Sequence, residues 1–409
     1  MDFSVPEDFV ELLSQLDDFI EDKIVPLQRE HEQYFDHRRE YARTDWENGG
    51  IPRQEWEALL QRVRRMADEA GFLRYALPHE LGGSNGSNLG MAIIREHLAH
   101  RGLGLHNVLQ QEASIVGNFP IELILHRWGS EQQKQFIEPC IRGDQHLAFG
   151  ITEPHHGSDA TWMETRAVRD GDAWVINGRK RFNSAVHHAT HDVVLARTSG
   201  EPGDPDGITA FIVPMETAGL NVLYYHWTFN MPTDHAEVEL DDVRVGDDTI
   251  LFEEGQGLRL IQAFVHENRI RQAAAGVGMA QYCIDEAVAY ARERQTFGRA
   301  LASRQAIQWP LAELHTEAEM VRNVVYKTAW SLDQVDDTEV RDMVSMANYR
   351  ANRLVCDAAD QAMQVHGGMG YTRHKPFEHI YRHHRRYRIT EGTEEMQIRT
   401  VAGHLFSFL

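Results

Sequence analysis

The sequence predicts an α+β protein of three domains: an N-terminal helical domain, a central β domain, and a C-terminal helical domain. Three observations carry that expectation. Apolar residues recur at three- and four-residue spacing before residue 147; short β-prone runs separated by turn dipeptides fill 148–254; helical patterns tens of residues long occupy 255–409. At 409 residues the chain is long enough for two or three domains of roughly 150 residues each. Its 42% hydrophobic and 25% charged residues allow a large core.

Phe9, Leu12, Leu13, Leu16 and Ile20 form the stripe of a first amphipathic helix. The stretch 28–56 is polar and crowded with Arg, His and Glu, and reads as a partly exposed connection or insertion. Helical pattern returns from Trp56 to Ala70, stops at Gly71, and breaks again at the loop PHELGGSNGSN. In the β block, Asp-Gly at 170–171 and Asn-Gly at 177–178 each lie between β-prone runs and signal hairpins. DVVLAR, ITAFIVP, LNVLYY and AEVELDDVRV continue the series of strands. Long helices follow from Gly257, and Gly367, Gly368 and Gly370 end the one over 338–365. A last helix begins at Thr393, whose hydroxyl caps it. Glu394 and Glu395 suit its first turn, and Ile398, Val401, Ala402 and Leu405 are expected to face inward.

The net charge of −21 argues against nucleic-acid or anionic-membrane partners, because phosphates are repelled. The basic run 382–388, with six Lys/Arg/His in seven residues, is a local exception. Cys140, Cys283 and Cys356 lie far apart, with no CxxC spacing, and read as buried reduced thiols of a cytoplasmic protein. The N-terminus lacks the pattern of a signal peptide, and no apolar stretch approaches the roughly 20 residues that span a bilayer.

Several constellations carry little chemistry. His155, His156, Ser158 and Asp159 fall within five residues, but a catalytic triad is assembled by tertiary structure rather than adjacency. His379 and His383 share a helical face without HExxH or a third ligand, and His-rich helix surfaces are usually solvated, so no metal site is assigned. GQGLRL lacks the third glycine of a dinucleotide fingerprint.

The stretch FGITEPHHGSDATWMETRAVRDGDAWVINGRKRFNS is more informative. It is a hydroxyl-rich loop leading into the β block, able to hydrogen-bond a polar ligand. TEP-x2-GSD followed by INGxK resembles the acyl-CoA dehydrogenase family. So do the long helix ending in RQTFG, the loop QAMQVHGGMGYT, and YRITEGT. The four motifs stand in the family's order and span nearly the whole chain, and the resemblance implies that the central domain is a β-barrel or sandwich and the C-terminal domain a four-helix bundle.

The resemblance implies FAD, held by residues of the β block and of the C-terminal helices, and an acyl-CoA substrate. Phe149, Ile151, Thr152 and Ser158 would contact the flavin or the thioester end of the substrate. Phe182, Asn183 and Ser184 would line the flavin edge; Asn183 replaces a residue that is usually smaller or apolar. Arg294, Thr296 and Phe297, with Gln364, Gly367 and Gly368, would reach a neighbouring subunit's FAD in a homo-oligomer, a dimer or a tetramer. Thr393 and Glu395 would lie by the cofactor, and Ser158, Arg269 and Gly392 by the substrate. Two departures bear on the acyl pocket and leave chain length and branching open: the stretch NMPTDHAEV and the long 28–56 segment.

The implied reaction removes two hydrogens from adjacent carbons of the thioester and passes electrons to an electron-transfer flavoprotein. Glu391 would take the α-proton. The family's second location for this base, just before the arginine that Arg269 matches, is here Asn268, which cannot serve. Glu267 is one helical step, about 100°, away. Burial with an acyl chain should raise the pKa of Glu391, and Arg385, Arg386 and Arg388 should lower it if near. Donors to the enolate-like oxygen, including the Glu391 backbone N–H, can be worth about 3–4 kcal/mol each. The alternatives are an O2-using oxidase or monooxygenase of the same fold, or a nucleic-acid-binding member gripping phosphates with 382–388. The preferred reading of that basic run is a solvated helix face near the CoA or FAD phosphates.

Overall fold

A computed structural model describes residues 5–109 and 114–408, apart from the side chains of residues 266, 267 and 337. The side chain of Glu267 therefore lies outside the described residues. The chain forms two compact units. One holds residues up to Ala42, Arg62–Asn118 and those from His266 onward; the other holds Arg43–Gln61 and Phe119–Val265.

The first unit is built mainly of helices. Helix α1 (Glu7–Phe19) buries Leu16, and Ile20 just beyond it is also buried, as the stripe predicts. Helix α2 (Gln54–Glu69) crosses from one unit into the other. Helix α3 (Asn88–His100) is capped by Ser87, whose Oγ accepts from Gly90 N at 3.0 Å. The 37-residue α4 (Gly257–Glu293) is lined with alanines and packs with α5 (Gln305–Leu332) and α6 (Arg341–His366). Ala273, Ala274, Val277 and Ala280 of α4 share one core with Val321 and Val325 of α5 and Ala351, Leu354 and Ala358 of α6. Small residues bring the backbones close: a Cβ on Gly278 would stand 2.1 Å from the Glu96 carbonyl of α3. Helices α7 (Phe377–Arg385) and α8 (Glu394–Phe406) pack on α6.

Two expectations change here. His379, His383 and His384 on α7 are buried rather than solvated, so the basic run is not a solvated helix face. On α8 the inward residues are Glu394, Gln397 and Gly403, whereas Ile398 and Leu405 are exposed. The ionic partners of Glu394, described below, turn that face inward against the apolar stripe.

The second unit carries one eight-stranded sheet. Its strands are β1 (Leu147–Gly150), β2 (Arg166–Asp170), β3 (Ala173–Asn183), β4 (His191–Arg197), β5 (Ile208–Pro214), β6 (Leu220–Tyr225), β7 (Ala236–Gly246) and β8 (Ile250–Leu251). The spatial order is β8-β5-β4-β2-β3-β7-β6, with β1 also paired to β4. Trp174, Ile176, Val194, Phe211, Val238 and Val243 form its core.

Asp170-Gly171 makes the expected β2–β3 hairpin, with Gly171 at φ +65°. Asn177-Gly178 does not turn the chain. It sits inside β3 at a register shift against β7. Gly178 is needed there because a Cβ would lie 2.4 Å from Thr165 Oγ1.

The 28–56 stretch is also more ordered than expected. In the first unit Arg39 is buried, donating to the carbonyls of Arg373 at 2.7 Å and Lys375 at 3.0 Å and to Glu378 at 2.7 Å. In the second unit the Arg43 guanidinium lies 4.4 Å above the ring of buried Trp56. All three cysteines are free and buried, as expected.

Candidate active site

In the helical unit Glu391 stands on the short loop between the turn Arg386–Arg388 and α8. Its φ is +58° and that of Gly392 is +82°. A left-handed residue with a side chain costs about 1–2 kcal/mol and persists only where its surroundings hold it. Here the holding groups are side chains. Arg269 Nε donates to the Glu391 carbonyl at 2.9 Å, and Arg269 Nη2 donates to the same oxygen. Gln397 Nε2 donates to the Gly392 carbonyl at 2.8 Å. Burial pulls the Arg269 guanidinium below its ordinary pKa, and the Glu391 carboxylate pulls it back up. A Cβ on Gly392 would lie 2.7 Å from Arg269 Nη2, so the glycine serves both the turn and the clamp.

The carboxylate of Glu391 receives a long hydrogen bond, 3.5 Å, from Asn268 Nδ2. Asn268 is itself fixed by Asn118, whose Nδ2 donates to Asn268 Oδ1 at 2.8 Å, and Arg271 donates to Asn118 Oδ1. Asn268, whose amide cannot serve as a base, thus stands beside the Glu391 carboxylate. The sequence held no signal for Asn118, which lies 150 positions from Asn268.

Two arginines of the basic run, Arg382 and Arg388, are paired with other carboxylates. Arg388 grips Glu394 with Nε at 2.9 Å and Nη2 at 3.0 Å, and Arg353 joins it at 3.1 Å. Hydrogen bonding from Arg388, ahead of that from Arg353, holds the Glu394 carboxyl at about 2. Arg382 pairs with Glu378 at 2.7 Å and with Glu40 at 2.9 Å, and Arg386 donates to the Tyr387 hydroxyl at 2.9 Å.

Thr393 caps α8 by accepting from Met396 N at 3.4 Å, and Glu395 points to solvent from its first turn. Arg294, Thr296 and Phe297 form a tight hairpin beyond α4, where Thr296 pairs with Arg299. Phe297 is 96% exposed, with φ +51°. Gln364, Gly367 and Gly368 are exposed at the end of α6, and a Cβ on either glycine would meet nothing within 4 Å.

In the sheet unit, Phe149 stacks on Phe264 with ring centroids 4.6 Å apart and planes 3° from parallel. The next residues are tied to β3: Lys180 Nζ donates to the Ile151 carbonyl at 3.3 Å and Arg181 N to the Thr152 carbonyl at 2.8 Å. Beneath them lies a buried charge cluster. Lys180 pairs with Glu153 at 2.8 Å, and Glu153 also accepts from the backbone N–H groups of Glu164 at 2.6 Å and Thr165 at 2.9 Å. Asn183 is fully buried and donates to Asp192 at 2.5 Å, so its side chain supports the strand end from behind. Burial pushes the Asp192 carboxyl up to about 6, against the Asn183 hydrogen bond and the Lys180 charge.

Phe182 lies half exposed at φ +64°, and Ser184 Oγ is 2.9 Å from His235 Nδ1. Ser158 is exposed in the loop after β1. An exposed aromatic face, neighbouring hydroxyls and a rigid strand end suit a flat, polar-edged ring system such as a flavin.

The two departures in sequence meet in this unit. Trp227 Nε1 donates to the Gly49 carbonyl and Thr233 N to the Gly50 carbonyl, both at 2.9 Å. Gly50 sits at φ +80°, a backbone conformation that residues with a side chain rarely adopt, and a Cβ there would also press on Met231 Cε at 2.5 Å.

Three family models match the chain: acyl-CoA dehydrogenase N-terminal domain over residues 6–144, middle domain over 148–243 and C-terminal domain over 255–406. A probable acyl-CoA dehydrogenase of Mycobacterium tuberculosis, FadE2, is 30% identical over 408 residues, covering 98% of this chain and 96% of that one. The CarC subunit of the caffeyl-CoA reductase–Etf complex of Acetobacterium woodii is 32% identical over 361 residues, covering 88% and 91%. The structure of butyryl-CoA dehydrogenase from Megasphaera elsdenii matches with a TM-score of 0.79 at 27% identity, covering 99% of this chain and 100% of that one.

Proposed function

Because this chain belongs to the acyl-CoA dehydrogenase family, we propose that it oxidises the Cα–Cβ bond of an acyl-CoA thioester with Glu391 as the base. It is an FAD-dependent oxidoreductase that passes electrons to an electron-transfer flavoprotein, and the relative from an Etf complex fits that acceptor. When bound, FAD supplies the hydride acceptor for the β-carbon.

The residues of this chain do the rest. Glu391 removes the α-proton onto its carboxylate, with Asn268 beside it, while Arg269 fixes the backbone beneath it. Arg269 and Gly392 adjoin the substrate, with Ser158 at the thioester end. Phe149, Ile151, Thr152, Ser158, Phe182, Asn183 and Ser184 hold the flavin, with Thr393 and Glu395 beside it. Asn183 does so indirectly, by bracing the strand end against Asp192.

The chain works as a homo-oligomer, a tetramer of paired dimers, in which Arg294, Thr296, Phe297, Gln364, Gly367 and Gly368 complete a neighbour's cofactor site. The exposure of Phe297 and the open space at Gly367 and Gly368 support this arrangement. Domain limits of 1–147, 148–254 and 255–409 are consistent with the matched family spans. A cytoplasmic role in fatty-acid or related acyl-thioester oxidation is supported by the buried free thiols. Among the described residues, no helix is long and apolar enough to cross a membrane.

One observation carries the assignment of the base. Glu391 is held in a left-handed loop by the half-buried Arg269, while Arg382 and Arg388 are committed to Glu378, Glu40 and Glu394. Glu391→Gln should keep FAD and acyl-CoA binding yet bleach the flavin at least a hundredfold more slowly in anaerobic mixing, the order expected of a lost general base. Near-parental bleaching would remove Glu391 from the mechanism.

A further inference from the structure

Three side chains with no part in the proposed chemistry converge within the sheet unit. Glu57, in the first turn of α2, faces His187 and His188 from the turn between β3 and β4. His187 Nε2 lies 3.7 Å from Glu57 Oε1, and His188 Nδ1 lies 3.8 Å from Glu57 Oε2. One ligand atom from each of the three falls within 4.8 Å of the others.

These separations are too long for hydrogen bonds, which close at about 2.7–3.2 Å. They are near the spacing of ligands that share one cation: bonds of about 2.0–2.2 Å in a tetrahedral site place ligand atoms roughly 3.4 Å apart. A modest side-chain adjustment closes the difference. The His187 side chain is only 5% exposed, and neither of its ring nitrogens has a hydrogen-bond partner among the described residues. Glu57 Oε1 is likewise buried without one. A buried imidazole and a buried carboxylate oxygen, facing each other with no hydrogen bond to either among the described residues, would both be satisfied by a shared cation. His146 stacks on the His188 ring at 4.0 Å and steadies it.

We propose that Glu57, His187 and His188 bind one divalent transition-metal cation, with water completing its coordination. Two imidazoles and one carboxylate favour zinc, cobalt or nickel over magnesium or calcium, which prefer all-oxygen sets. The site ties the start of α2 to the β3–β4 turn, which follows directly on the strand end of Phe182, Asn183 and Ser184. Its role is structural: it pins that turn to the segment that also carries Gly49 and Gly50. The helix face first considered for a metal, with His379 and His383, is a different place; the ligand set that the fold assembles joins positions 130 residues apart.

The test uses the untagged, flavin-loaded protein, freed of metal with a chelator and titrated calorimetrically with zinc sulfate. One saturable zinc per chain is expected, with a rise in melting temperature. His187→Ala and Glu57→Gln should each weaken binding at least tenfold and cancel the rise, with the flavin spectrum retained. Glu57→Gln keeps the side chain's shape, so it decides the matter if His187→Ala does not fold. Absence of saturable binding, several weak sites of equal strength from surface histidines, or unchanged binding in Glu57→Gln would each overturn the proposal.

Discussion

Arg269→Lys isolates the clamp on the proposed base. The guanidinium makes two bonds to the Glu391 carbonyl, one from Nε at 2.9 Å and one from Nη2. A lysine ammonium on a shorter reach can keep one at best. Hydrogen bonds from a charged donor contribute about 1.5–3 kcal/mol each. Losing one removes about as much as the 1–2 kcal/mol, roughly, that a left-handed residue with a side chain costs. The loop would then leave its active geometry for much of the time. At about 1.4 kcal/mol per factor of ten, flavin reduction should slow about 10- to 100-fold. The assay is anaerobic flavin bleaching by an acyl-CoA across a concentration series, with FAD content measured on the same samples. The limiting rate should fall while FAD stoichiometry holds. Gly392→Ala, which intrudes on Arg269 Nη2 from the other side, should fall in the same direction. A parental limiting rate in Arg269→Lys, or a loss that only follows lost FAD, would refute the clamp.

Two further outcomes follow from other parts of the fold. Asp192 has a native pKa of about 6 against an ordinary 3.8, so its contribution to stability is fully present below pH 4 and lost as pH rises through 6. The whole effect is at most about 3 kcal/mol. Asp192→Asn should flatten that part of the urea-unfolding profile and leave the protein more stable at neutral pH; an unchanged slope would mean that Asp192 ionises normally. Phe297→Ser removes a 96% exposed aromatic from the tip of its hairpin. Sedimentation should show a weaker oligomer with less bound FAD than the parent, and a parental monomer that holds FAD tightly would refute the shared-site arrangement.

The helical and β segments were legible because their periodicities are local. What misled was any feature whose reason lies far along the chain. Asp170-Gly171 and Asn177-Gly178 carry the same turn chemistry, yet the second glycine answers to Thr165 on a neighbouring stretch. The charges of 28–56 read as solvent-facing because the carbonyls that Arg39 meets are more than 330 residues away. The apolar stripe of α8 predicted the wrong face because Arg353 and Arg388 draw Glu394 inward, and a pattern of hydrophobic residues contains no such term. Glu391 itself was found through its motif. Of its supports, Asn268 and Arg269 were located by the same resemblance but not in these roles, and Asn118 was not located at all, since hydrogen bonds across 122 and 150 positions leave no spacing to read.

The basic run shows how a formal charge count parts from a physical charge. Read as a string, residues 382–388 offer six cationic side chains to a phosphate backbone. In the fold, His383 and His384 are buried. Burial, helped by the Arg386 charge, drives His383 well below the ordinary histidine range and His384 to about 3, so both are neutral at physiological pH. Arg382 and Arg388 are each within hydrogen-bonding distance of carboxylates. Phosphate contacts would have to break those pairs and leave Glu378, Glu40 and Glu394 partly buried without their cations, which costs more than an exposed phosphate contact returns. The same pairing leaves Arg382 and Arg388 with their charge compensated locally; the cation that acts on Glu391 is Arg269, whose guanidinium holds the Glu391 backbone carbonyl and, lowered in pKa by burial, is pulled back upward by the carboxylate.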